Sequence, residues 1–129
     1  MSNSLRSPLG RVRGLGSAKS GVTHWWHQRL TALAIAPLVV WLVVGLVAHV
    51  GADHAAVAAW IGQPLNATLL LLLLVAAFWH LQLGGRVIIE DYVHSEGLKF
   101  ASIALLNFAT VAVGLACVLA VLKLALRTV

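Results

Sequence analysis

His80 lies in the second of three apolar stretches of the chain, nine residues before Ile89 closes it. At about 1.5 Å of rise per residue, that is roughly 13 Å inside an apolar layer. An ionisable side chain at such depth is expensive and points to function by default. Imidazole nitrogen is a usual protein donor to haem iron; the competing reading is a histidine that only hydrogen-bonds an adjacent helix. Gly84 follows one turn later, and at about 100° per residue Asp91 returns to within about 20° of the His80 direction. One helix face thus carries a histidine, a glycine and an acid. Gly84 and Gly85 either clear a path for a flat macrocycle beside His80 or allow close helix packing. Asp91-Tyr92 ends the stretch. A phenol there can donate to a quinone carbonyl while the neighbouring carboxylate relays protons, or it can serve as an interfacial anchor.

A low-spin b-type haem needs two axial ligands that meet at one iron. His49 stands at the far end of the first stretch, displaced from His80 by roughly 18 Å along the membrane normal. His24 and His27 precede that stretch, and His54 and His94 fall in loops. A second ligand must therefore come from another chain, which implies an oligomer with the haem at an interface. Thr23 to Ala32 opens the first stretch: Trp25 and Trp26 suit an aromatic belt, and Arg29 can reach a lipid phosphate, a haem propionate or a quinone. His24 and His27 are left without a role.

The elements that must hold these residues are membrane helices. Of 129 residues, 60% are hydrophobic and 10% charged, against roughly 45–50% and about 25% in soluble domains. About 20 apolar residues cross a bilayer, and spans are expected at about 30–50, 67–89 and 98–125. The expected architecture is an all-α membrane protein with three transmembrane helices, part of a haem-binding heteromeric bundle. Residues 29–129 form the three-helix domain, and residues 1–28 form a basic arm along the inner surface. The arm is Ser/Gly-rich, which also suits a transit peptide, but it lacks the apolar core of a secretory signal. Pro37 is tolerable inside a bundle, and 52–62 suits a short interfacial helix. Ala101, Ala104 and Gly114 allow close packing in the third span. No polar block is large enough for a soluble catalytic domain. The net charge of +5 reflects orientation rather than nucleic-acid binding: Arg6, Arg11, Arg13, Lys19, Arg29, Arg86 and Lys99 fall on one side, Lys123 and Arg127 on the other. The arm and the turn at 90–97 should face the cytoplasm, or the matrix in an organelle. The single cysteine, Cys117, excludes an intrachain disulfide.

Taken together, the segment His80-Leu-Gln-Leu-Gly-Gly-Arg-Val-Ile-Ile-Glu-Asp91-Tyr92 resembles the hallmark of the hydrophobic membrane anchor subunits of succinate dehydrogenase, a family of short three-span proteins. Ser7 to Lys19, His24-Trp25-Trp26 and Arg29-Leu30-Thr31-Ala32 resemble its proteobacterial, mitochondrion-like branch. The resemblance implies that His80 is an axial ligand of haem b and its iron, that Tyr92 contacts ubiquinone with Asp91 in support, and that Arg29 lies near the haem propionates. It further implies a cytochrome b subunit giving the other haem ligand, an iron–sulfur subunit and a flavoprotein that oxidises succinate. Such a chain is a subunit of an enzyme without activity of its own, in the bacterial cytoplasmic membrane or the mitochondrial inner membrane. Two alternatives remain at this point. One is a haem-free structural anchor. The other is a small transporter with His80 and Asp91 on a proton path, which the single acid near the His80 face and the lack of a broken-helix pair argue against.

Overall fold

The computed structural model describes residues 7–13 and 21–127. Arg6 and Lys19 of the basic arm lie outside the described residues. All regular structure among the described residues is helical: α1 (Pro8–Val12), α2 (Gly21–Ala48), α3 (His54–Gly62), α4 (Pro64–Tyr92) and α5 (Glu96–Arg127). The three long helices are each apolar and long enough to cross a bilayer. Each outlasts the apolar stretch that announced it. Thus α2 starts at Gly21 rather than near Leu30, because Gly21 to Arg29 contains no proline and backbone hydrogen bonds do not require apolar side chains. Pro37 sits inside α2 without ending it.

The punctuation between helices is local chemistry. Gly51 adopts φ +84°, a left-handed conformation that an L side chain resists, and this lets the chain turn after α2. Asp53 then caps α3 by accepting from the Ala56 amide at 2.8 Å. Pro64 occupies the first turn of α4, where its missing N–H is no loss. The buried Asn66 donates to the Trp60 carbonyl at 2.8 Å and to Gln63 Oε1 at 3.2 Å, tying α3 to the start of α4. The short helix expected over 52–62 is therefore present as α3, folded back onto α4 and α5. Its Trp60 ring stacks on Trp41 of α2 at 5.7 Å and meets His49 at 4.9 Å. Gly45 lies beneath that indole, where any side chain would collide with it.

α4 is central, packed by α2 on one side and α5 on the other, while α2 and α5 make no close approach among the described residues. On the α5 side, Gln82 donates to Asn107 at 2.9 Å. Gly85 faces Leu106, and Gly114 lies against the Phe78 ring, as close helix packing requires; Ala101, by contrast, is exposed. Very few side chains are fully enclosed. Large apolar side chains such as Leu33, Val44, Val47, Leu105, Phe108 and Leu119 are more than 60% exposed, a surface that only lipid or partner helices can cover.

Candidate functional site

The α2–α4 seam carries one polar cluster, built around His80. Thr31, 8% exposed, meets His80 Nδ1 with its hydroxyl at 3.0 Å. Gln28, one turn earlier on α2, brings its amide Nε2 to 3.3 Å from His80 Nε2. Gly84 belongs to the same face, since a Cβ added there would stand 3.2 Å from Gln28 Nε2. Gly85 faces α5 instead, so the two glycines divide: Gly85 serves helix packing and Gly84 leaves room beside the histidine. Gln28 Oε1 is buried and has no hydrogen-bond partner among the described residues. Buried polar atoms are normally satisfied, so this oxygen is open to a further donor.

The register of α2 against α4 sets His80 opposite Thr31 and Gln28. It stands level with Thr31 of α2 and close to the middle of α4. The same register moves His49 further away, roughly 27 Å from Thr31 along α2. His49 is also committed elsewhere, with Nδ1 2.8 Å from the Gly45 carbonyl and its ring on Trp60. His27 packs on Trp79 with ring centroids 5.1 Å apart. No group of three His, Cys, Asp or Glu able to hold a metal occurs among the described residues.

The other expected residues lie apart from this cluster. Arg29 adjoins Gln28 in sequence, yet its guanidinium sits 5.3 Å from the centre of the Trp25 ring on the exposed face. Asp91 and Tyr92 form the last turn of α4, about 16 Å along the helix from His80, and Tyr92 is 78% exposed. Two cavities flank the seam. An apolar one of about 370 Å³ is lined by Thr31, Ala34, Leu38, Leu72, Val75 and Trp79, among others. The other, about 280 Å³, lies between the start of α2 and the end of α4 and is lined by His24, Arg86 and Glu90. There Arg86 donates to Glu90 at 2.8 Å. Thr31 and Gln28, the two contacts of His80, went unrecognised as site residues in the sequence; the signal for Thr31 was only a polar residue just inside an apolar stretch.

The family model for the succinate dehydrogenase/fumarate reductase transmembrane subunit matches residues 3–114. The chain belongs to that family. It is 34% identical to the succinate dehydrogenase hydrophobic membrane anchor subunit of Rickettsia conorii, over 73% of this chain and 75% of the relative. It is also 34% identical to the succinate dehydrogenase membrane anchor subunit of Reclinomonas americana, over 69% and 77%. The hydrophobic membrane anchor subunit of Paracoccus denitrificans is 28% identical, over 75% of each chain. No solved structure matches the chain. Membership accounts for three apolar helices with so little enclosed interior: the chain is a succinate dehydrogenase membrane anchor subunit, and its exposed apolar faces are those of a member of a membrane complex.

Proposed function

We propose that this chain supplies His80 as one axial ligand of a haem b shared with a cytochrome b subunit, contributes Tyr92 and Asp91 to a ubiquinone-reduction site, and tethers the iron–sulfur and flavoprotein subunits of a succinate:quinone oxidoreductase. One observation carries the reading: the histidine of the α2–α4 seam has Gly84 on its own face and, beside it, a buried Gln28 amide oxygen without a partner among the described residues. The donor set suits haem iron, because a single neutral imidazole from one chain is half of a bis-histidine pair. Bound there, haem b supplies a one-electron centre inside the bilayer. His80 holds and orients it, and Arg29, exposed near the start of the apolar stretch, offers a cation for a propionate once it leaves Trp25. Tyr92 and Asp91 stand where an apolar quinone tail can remain in lipid while the headgroup receives protons from water. In this reading the arm of residues 1–28 and the turn at 90–97 face the soluble subunits. That side is the cytoplasm for a bacterial cytoplasmic membrane and the matrix for a mitochondrial inner membrane.

A second reading keeps the chain as a haem-free anchor. It is favoured by the two contacts with which α2 already engages both ring nitrogens of His80. Purifying the complex through a tag on this chain separates the two. The haem reading expects the partner subunits, succinate-dependent quinone reduction and sharp low-spin α and Soret bands after dithionite. An active complex without those bands would establish the haem-free anchor.

A further inference from the structure

The two α2 side chains that meet the His80 ring do so unequally. A threonine hydroxyl carries one proton, and within a helix it commonly goes to the carbonyl one turn back. Thr31 Oγ1 lies 2.8 Å from the His27 carbonyl oxygen and 3.1 Å from that of Gln28. With its proton so engaged, the hydroxyl oxygen offers His80 only lone pairs, and Nδ1 at 3.0 Å must carry the hydrogen of that contact. Neutral imidazole has a single N–H. The lone pair is therefore on Nε2.

Gln28 Nε2 donates to that lone pair at 3.3 Å, long for a hydrogen bond. Its own Oε1 is left buried and unpartnered among the described residues. The Gln28 contact is thus the weaker and the less well supported of the two. The Thr31 contact is shorter and enclosed, on a side chain doubly anchored to its own helix. A metal taking Nε2 would displace the Gln28 contact and leave the Thr31 contact in place.

We propose that Thr31 is the positioning residue of the haem ligand: it fixes His80 in the Nδ1-protonated tautomer and so makes Nε2 the iron-binding atom. The inference rests on reading His80 as an axial ligand and adds which nitrogen binds and what holds it. A ligand imidazole that donates its other N–H becomes a stronger donor to the metal. Stronger donation favours the ferric state and lowers the midpoint potential. Losing such a second contact typically costs roughly 10- to 100-fold in metal affinity.

The test uses the purified complex with Thr31→Val, which keeps the shape but removes the acceptor, and Thr31→Ser, which restores it. Haem content, midpoint potential and the ferric electron paramagnetic resonance spectrum are the readouts. Thr31→Val should lose haem on dilution, raise the midpoint potential and shift the g values, and Thr31→Ser should return all three toward the parent. If Thr31→Val does not assemble, Thr31→Ala, which introduces no new bulk, gives the same readouts. Parental potential and g values in the variant lacking the hydroxyl would overturn the inference, as would a Thr31→Ser shift equal to that of Thr31→Val. His80→Leu, prepared alongside, distinguishes the two levels. If it keeps a low-spin spectrum, the ligand reading itself fails; if it loses the spectrum while Thr31→Val is parental, only the role of Thr31 falls.

Discussion

Tyr92 is exposed at the end of α4, so replacing it disturbs no packing within the chain and reports directly on its hydroxyl. A hydrogen bond to a neutral group contributes about 0.5–1.5 kcal/mol. Tyr92→Phe should therefore slow quinone reduction roughly two- to tenfold at subsaturating quinone, while succinate oxidation with an artificial dye that takes electrons upstream remains at the parental rate. Equal quinone rates in variant and parent would reduce Tyr92 to an interfacial anchor. A larger loss would indicate that the phenol acts in the transition state rather than in binding. His80 was legible in the sequence because an ionisable group among Phe78, Trp79, Leu81 and Leu83 conflicts with its neighbourhood. Thr31 was not, because a threonine inside a helix conflicts with nothing, and its meeting with His80 depends on the register of α2 against α4. That register is a property of two helices together and has no local sequence signal.

Within and between the elements, two contacts carry measurable consequences. Gly45 lets the Trp60 indole lie on α2, and Gly45→Ala should destabilise the complex by about 1–3 kcal/mol through overpacking. Gly97→Ala is the control: nothing stands near its added methyl group, and a helical Gly→Ala change is favourable by up to about 1 kcal/mol. Comparable melting temperatures for the two variants would contradict the packing of the Trp60 indole onto α2. On the other side of α4, the Gln82–Asn107 hydrogen bond belongs to a class worth about 0.6 kcal/mol on average and up to about 1.7 kcal/mol in membranes. Gln82→Leu should lower the melting temperature of the detergent-solubilised complex by leaving Asn107 unpaired, and adding Asn107→Leu should recover most of the loss. A double variant no more stable than the single one would mean that the amides contribute through shape alone. The long helices were readable from hydropathy because a bilayer demands about 20 apolar residues. Their ends were less so: segments such as Gly21 to Arg29 continue a helix as readily as they end one, and the placement of α3 relies on Asn66, which bonds the Trp60 carbonyl, and on the Trp60 ring, which meets α2.

For the whole molecule, α2, α4 and α5 leave many large apolar side chains exposed, and charge sets which way it lies. Arg86 and Lys99 are ion-paired with Glu90 and Glu96, but acids contribute little to orientation, so the bias toward the arm stands. In a Cys117→Ala background, Asn3→Cys and Thr128→Cys should be labelled from opposite sides of oriented vesicles, with position 3 on the side of the soluble subunits. Labelling from the same side would contradict three crossings. The central claim, that this anchor brings an iron ligand to a shared haem, meets its most direct test in the reduced-minus-oxidised spectrum of the assembled His80→Leu complex. A leucine cannot coordinate iron, so the low-spin bands of the parent should disappear or give way to a high-spin form while the subunits stay together. Unchanged low-spin bands in that complex would contradict the claim.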